Sequence, residues 1–460
     1  MPGLVWWVLC VGRPPRDHVV FVWNTTELAV AAGHSIDTGR WVAGLGELMQ
    51  AIAGRFGRVE TRRTAGRMLT GLLSELPVKN CWTLAEYAGD PSPDAMQHLL
   101  SRAVWDEDGI RDDLRDYVYT GLGVGGVLVV DETGDLKKGE QTVGVQRQYT
   151  GTAGRIENAQ VAVYLAYTTP IGHAFIDREL YLPKSWTTDP DRCASAGIPA
   201  GIGFATKPVL AKEMIIRALD AGLVAPWVTG DEVYGGDSLL RGELETRGIG
   251  YVLAVGCDHR VDTGLGRMRA DAAAATVHHR EWRALSPGDG VKGPRLFDWA
   301  RITLDDEQTG EYRWLLIRRN RRTRELAFYR CYAPDPTPFK TLVEVAGSRW
   351  SIEENFQTGK NLTGLDQHQV RRWTSWRRWT ILVMLAHAFL TIHAAEHTRT
   401  PEETTKVIAL TRNEIRHLIA TTIGQRCHDL AHRLHWSNWR RQHQHRARTS
   451  HYQRRTDPEP

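Results

Sequence analysis

With 460 residues, 42% of them hydrophobic, the chain has material for roughly three structural units with sizeable cores, which excludes a disordered or fibrous class. Its six cysteines (Cys10, Cys81, Cys193, Cys257, Cys331, Cys427) form no CxxC pair, which speaks against a zinc module or a disulfide framework and fits a reducing cytoplasm. The formal net charge is only +4 but is unevenly spread: basic residues gather over 318–324 (RRNRRTR), 360–379 and 421–460, clusters that suit phosphate-facing surfaces or, for the last, a solvated tail.

In chain order, residues 1–40 carry little pattern. Their opening, MPGLVWWVLCVGRPP, has a short apolar run with no basic residue before it, unlike a signal peptide and too short for a spanning helix. From 41 to 120 the pattern is helical. Thr83-Leu84-Ala85-Glu86 reads as a capping box ahead of a short helix that Gly89 ends. Asp90-Pro91-Ser92-Pro93 then turns the chain into a second helix, with Ser92 as its cap, Pro93 at its first position, and Met96, Leu99, Leu100, Ala103 and Val104 on one face. Two short helices around a tight turn suggest a helix-turn-helix-like DNA-binding unit, although any small helical bundle shows the same pattern.

GLGVGGVLVVDETG, 121–134, places its glycines before an apolar strand instead of between a strand and a helix, the wrong order for a dinucleotide fingerprint. What remains is a buried-type strand, VLVVD, ending in Asp131. QVAVYLAYTT and AFIDRELYLP (160–169 and 174–183) follow as a hairpin around a Pro-Ile-Gly-His turn. TKPVLAKEMIIRALDAG is helical and stops at Gly222. APWVTGD is a strand ending in Asp231, a helix covers about 236–247, and YVLAV at 251–255 is a further strand. Three strands, helix, strand, helix, strand predicts a mixed sheet with helices on both faces. Asp131 and Asp231 then share the C-terminal edge, where open α/β sheets gather ligand groups.

Residues 256–345 change to strand-like pieces (FDWARITL, YRWLLIRR, ELAFYRCYA) and read as a β-rich insertion. TILVMLAHAFLTIHAA, 380–395, reads as an apolar helix too short and too interrupted by histidine to span a bilayer. Thr411 and Glu414 form another capping box, ahead of a C-terminal helix and basic tail over 401–460. Trp373, Trp376 and Trp379 alternate with arginine pairs and could stack on bases, but burial of the rings is the stronger reading; Trp299 and Trp314 pose the same choice.

RWSIEENFQTGK, 349–360, decides between two adjacent glutamates. On a continuous helix, at about 100° per residue, Arg349, Glu353 and Lys360 fall on one stripe flanked by Ile352 and Phe356, while Glu354 points away. Taken alone, this could be a surface helix with an Arg–Glu pair worth a few tenths of a kcal/mol. Two strand-end aspartates upstream favour a carboxylate placed for a metal ion or substrate.

An acid ending the first strand, an acid ending the fourth and an acid on a later helix occur in the order in which ribonuclease-H-like folds assemble a metal site. With Arg349, Glu353 and Lys360 matching the last three positions of a Tyr-x2-Arg-x3-Glu-x6-Lys signature, the chain resembles the DDE transposases of bacterial insertion sequences, in the branch with a β-rich insertion. The tyrosine position is Ala346, so the contact that tyrosine would make is missing. VVDETGDLKKGEQTVGVQRQYTGTAGRIENAQVAVYLAY, VTGDEVYG and RWSIEENFQTGKNLTGLDQHQVRRW resemble more particularly the insertion-sequence group numbered seven-oh-one, over most of the chain from about residue 79 to 420.

The resemblance implies a ribonuclease-H-like α/β core over 121–255 and 346–400, the insertion over 256–345, and a helical domain before it. It implies metal-dependent cleavage and joining of transposon ends by Asp131, Asp231 and Glu353, with Asp131 bridging two Mg2+ ions, for which Mn2+ can substitute. Arg349 and Lys360 would hold phosphates; Lys137, Lys138, Arg371 and Arg372 are further DNA-binding candidates, whereas Glu132, Asp135 and Glu232 read as structural or solvated neighbours. The partners implied are double-stranded DNA (terminal inverted repeats and target) and a second copy of the chain, in the cytoplasm at the nucleoid, with no membrane. Two other readings are a transposase-derived regulator with a dead centre and a metal-dependent nuclease without strand transfer; retention of all three acids with Arg349 and Lys360 disfavours the first.

Overall fold

The structure, a computed structural model, describes residues 38–290, 293–304, 312–399, 410–423 and 429–456. The poorly patterned segment 1–37 and parts of the basic tail (424–428 and 457–460) lie outside the described residues.

Among the described residues five helices precede the sheet: α1 (Thr38–Ala51), α2 (Val59–Leu72), α3 (Cys81–Ala88), α4 (Asp94–Ser101) and α5 (Glu107–Leu122). Helical spacing of apolar residues is what buries them. Trp41, Leu45, Leu48 and Ile52 line one face, and Ile110, Leu114, Val118 and Leu122 another. The cap of α3 is Asn80, whose side chain accepts from the Trp82 and Thr83 amides while the Thr83 hydroxyl closes the box. The cap therefore sits three residues before the one expected at Thr83. Gly89 does end it, in the left-handed conformation at φ 80°. Pro93 caps α4 in place of Ser92, and Val104 lies past the end of α4, fully outside the face it was assigned to.

The sheet begins with β1 (Val127–Leu136), β2 (Gln146–Thr150), β3 (Arg155–Thr169) and β4 (Gly172–Leu180), then α6 (Lys207–Asp220), β5 (Trp227–Gly230), α7 (Ser238–Thr246) and β6 (Gly250–Val255). β3 runs antiparallel to β1, and β4 antiparallel to β3; β5 and β6 are parallel to β1 and stand beside it in that order. This is the strand order and direction of a ribonuclease-H-like sheet, as the alternation of strands and helices predicts. The short β2, on the same side of β3 as β4, has no counterpart in the sequence reading.

The insertion does not stand apart. Its strands β7 (Arg283–Leu285), β8 (Phe297–Thr303), β9 (Tyr312–Arg319) and β10 (Leu326–Ala333) continue the same sheet, because β10 pairs antiparallel with β6. Ten strands form one layer. β6 would otherwise be an edge with unpaired backbone groups, and the insertion covers that edge.

Helices α8 (Phe339–Ser348), α9 (Trp350–Thr358), α10 (Trp373–Arg399), α11 (Arg412–Ile423) and α12 (Leu430–Thr456) complete the chain. α10 is long and apolar enough to cross a membrane, longer than the sequence suggested, but it is buried within the protein between the N-terminal helices and the sheet. One continuous hydrophobic core therefore joins the helical region to the sheet. Trp373, Trp376, Trp379, Trp299 and Trp314 are all buried, as core packing predicts.

Candidate active site

Register brings the two strand-end aspartates together. The parallel ladder between β1 and β5 runs from Val127–Trp227 to Val130–Gly230 and stops there, so Asp131 and Asp231 leave it side by side, about 5 Å apart in backbone. β1 itself continues to Leu136, held only by β3. Asp231 caps a single helical turn, Glu232–Gly235, accepting from the Val233 amide at 2.9 Å. That turn presses on β6 so closely that a Cβ on Gly235 would lie 1.8 Å from the Ala254 carbonyl oxygen, which only glycine tolerates.

Successive residues of β1 point to opposite faces. On one face, Asp131, Thr133 and Asp135 each meet a group from the later helical segment. Arg349 stands 3.5 Å from Asp131, Lys360 Nζ donates to Thr133 Oγ1 at 2.7 Å, and His368 Nε2 lies 3.2 Å from Asp135. On the other face, Glu132 accepts from Lys207 Nζ and from the Tyr234 hydroxyl, each at 2.6 Å. Glu132 and Asp135 are thus held in internal contacts, as expected for structural neighbours.

The predicted stripe is real but is not carried on one helix. Arg349 is the joint between α8 and α9, and after Thr358 the chain widens into a π turn, Gly359–Thr363, that carries Lys360 and closes at Gly364 with φ 77°. Single π turns inside helices recur at functional sites. Ile352 and Phe356 are buried, Phe356 against Tyr164 and Phe175, and Ser351 is bonded to Thr168 on β3 at 2.6 Å. Glu353 binds Arg349 at 3.0 Å, whereas Glu354 turns to His173 at 3.1 Å, which holds its carboxyl below the usual range.

Arg349 therefore stands between Asp131 and Glu353. That one guanidinium is shared by two carboxylates, and its charge is also felt at Asp231. Burial, and then the neighbouring Asp231, push the Asp131 carboxyl up to about 7; burial and Glu132 raise Asp231. A pair of aspartates driven upward by burial and nearby acids is short of positive charge, and a divalent cation would supply it. Magnesium is commonly held by one or two carboxylates plus waters, which Asp131 and Asp231 fit. Glu353 faces the same guanidinium, but among the described residues no three His, Cys, Asp or Glu side chains stand close enough to surround one ion. The three-acid cluster expected from sequence is thus a close pair with Glu353 held beyond Arg349, because the guanidinium occupies the space between.

The basic candidates divide. Lys138, Arg371 and Arg372 are exposed. Lys137 is turned inward, its ammonium donating to the His368 carbonyl oxygen at 3.1 Å and lying 3.9 Å from Asp135, so it faces the interior rather than a phosphate. Thr133, Thr152 and His368 belong to this edge and were missed. The period-two spacing of Asp131, Thr133 and Asp135 signals Thr133; nothing local signals Thr152 or His368.

A family model described as DDE superfamily endonuclease matches residues 51–285, just over half of the chain. The chain belongs to the DDE superfamily endonucleases. Asp131 and Asp231 lie inside the matched segment and Glu353 outside it. It is similar to a probable transposase for insertion sequence element IS701 from Microchaete diplosiphon, 29% identical over 198 residues, which are 42% of this chain and 48% of the relative. The match thus spans about half the length of that relative. A cryo-EM structure titled piggyBac transposase synaptic complex with hairpin DNA is 11% identical, with a TM-score of 0.42 over 89% of this chain and 86% of that one.

Proposed function

We propose that this chain is a transposase that cuts and joins DNA at the ends of an insertion sequence, using Asp131, Asp231 and Glu353 with divalent metal, Mg2+ in the first instance. The observation that carries the proposal is the shared ladder end of β1 and β5, which sets two burial-raised aspartates beside a guanidinium that also binds Glu353. Family membership and the partial likeness to an insertion-sequence transposase support it.

Divalent cations, when bound by these carboxylates, would activate the attacking oxygen and offset charge on the phosphorane-like transition state. The chain's own groups do the remaining work. Asp131 and Asp231 are presented by a rigid sheet edge, which limits their reorganisation during reaction. Arg349 keeps Glu353 beside that edge and offers a guanidinium to a phosphate oxygen. Lys360, held on the π turn by Thr133 and Thr152, supplies a second cation. Joining two ends requires two active sites, so a dimer on DNA is part of the proposal.

The test is incubation of purified protein with labelled end-sequence DNA and Mg2+. Wild type should cleave and transfer strands; Asp131→Ala, Asp231→Ala and Glu353→Ala should each lose at least about a thousandfold in rate, a typical scale for removing an electrostatic catalytic group. Equal cleavage by all four proteins would overturn the site, and cleavage without strand transfer would favour a plain nuclease.

A further inference from the structure

Two concavities meet at Arg371 and Arg372. The first, about 670 Å³, is walled by those two residues together with Arg147 of β2 and Arg192 of the helix Pro190–Ala196; Glu140 is its acidic wall residue. The second, about 370 Å³, lies between the same two arginines and Asn80, Trp82 and Gln97 of the N-terminal helices. The Trp82 ring in turn meets Trp439 at 5.0 Å and His443 at 4.8 Å on α12. A groove thus runs from the core strand β2, over the Arg371–Arg372 strap, to the C-terminal helix.

Its charge is one-sided. Among the described residues none of Arg147, Arg192, Arg371 and Arg372 is in an ion pair, whereas Arg377 and Arg378, one to two turns further on, are buried against Asp108, Glu179 and Glu107. Arg192 is pre-positioned, its guanidinium 3.8 Å over Trp186 and donating to the Glu140 carbonyl oxygen at 3.1 Å. α12, about 40 Å long, extends the cationic line: its residues 430–450 hold five arginines and no acidic residue, and of these Arg440 is paired with Glu86. Trp436, buried with its indole donating to the Asp90 carbonyl oxygen at 2.9 Å, anchors it, while Arg441, His445 and Arg446 are exposed.

We infer that this groove is a track for the phosphate backbone of duplex DNA, holding the DNA that flanks the reacting bond. The inference rests on the proposed DNA-cutting function and adds where the duplex lies. Its start is tied to the candidate active site: Arg147 is on the β2–β3 hairpin, whose turn residue Thr152 receives Lys360 Nζ at 3.4 Å. Unpaired arginines spaced along a groove bind phosphates without reading sequence, so the track supplies affinity and register, not specificity.

The experiment measures binding of a labelled mixed-sequence duplex against salt for the full chain. Arg147→Ala/Arg371→Ala/Arg372→Ala should bind at least about tenfold more weakly at moderate salt, with the slope of log K against log salt reduced by about 2.7, three contacts at about 0.9 each. The corresponding lysine triple variant should restore the slope. Arg260→Ala/Arg267→Ala/Arg280→Ala, which removes three exposed charges from the insertion, should leave it unchanged. Unaltered binding by the first variant, failure of the lysine variant to restore it, or equal loss in the insertion variant overturns the track while leaving cleavage intact. If wild type itself neither binds nor cuts duplex DNA, it is the proposed function that falls.

Discussion

Two clusters of charge in this molecule, each partly buried, are composed differently. Around β4, Asp177, Glu179 and Asp108 meet Arg217, Arg377 and Arg178: Arg217 contacts Asp177 and Glu179 at 2.8 Å each, and Arg377 bridges Glu179 to Asp108. With Arg111, 2.8 Å from Asp108, these three acids have four guanidiniums. Burial still raises Asp177 despite Arg217, but at Asp108 the guanidiniums of Arg377 and Arg111 outweigh it and hold the carboxyl below its usual range. At the ends of β1 and β5, among the described residues, Asp131 and Glu353 share Arg349 while Asp231 has no ion pair, and Asp131 rises to about 7. A matched cluster ties helices to a sheet; an unmatched one leaves room for a charge the protein does not itself provide.

Breaking the matched group should have the largest effect on folding. Arg217→Met leaves Asp177 and Glu179 short of a partner and should cost roughly 3–5 kcal/mol, read as a shifted urea midpoint with Mg2+ affinity unchanged. A small shift would mean the cluster is as loosely held as a surface pair.

Lys79 is a third kind of case, a buried ammonium in no ion pair among the described residues, donating to the Leu362 carbonyl oxygen at 3.0 Å, with burial lowering its pKa to about 8. Because the folded value is below the unfolded one of about 10.5, the folded state binds fewer protons in between. The penalty is complete below pH 8 and disappears as pH rises toward 10.5. Relative to Lys79→Met, wild type should therefore gain up to roughly 3 kcal/mol across that window. A flat difference would show that the ammonium is not desolvated.

In the unmatched group, Asp131→Asn should stabilise the metal-free protein by roughly 1–2 kcal/mol at pH 8 while abolishing cleavage. The sign follows from the raised folded pKa: the wild-type carboxyl costs nothing below pH 3.8, and its penalty grows as pH rises to about 7. Thermal unfolding at pH 4 and pH 8 checks this, and added Mg2+ should raise the melting temperature of wild type more than that of the variant. No gain at pH 8 would sink the claim that this edge lacks positive charge.

The smallest expected effect is at the neighbouring acid. Glu354 faces His173, so Glu354→Ala should stay within about threefold of wild-type cleavage; a loss larger than that of Glu353→Ala would reverse the assignment of the two glutamates.

The elements that position the site were legible where local signals were strong. VLVVD and VTGD are short apolar runs ending in aspartate, and TKPVLAKEMIIRALDAG carries its own cap and stop, so β1, β5 and α6 were readable from residues that are neighbours in the chain. The pairing of β6 with β10 was not, since no local pattern says that Val255 will face Phe328 more than seventy positions later. The turn of Lys137 toward His368 and the hold of Lys360 by Thr133 and Thr152 were hidden for the same reason.

By itself, the sequence determined which acids and cations exist, which lie at strand ends, and that Glu353 shares a helical face with Arg349. Tertiary structure alone decided which charges are answered. Desolvation and Coulomb attraction act over a few ångströms, and the Arg349 that stands 3.5 Å from Asp131 is 218 residues away in the chain.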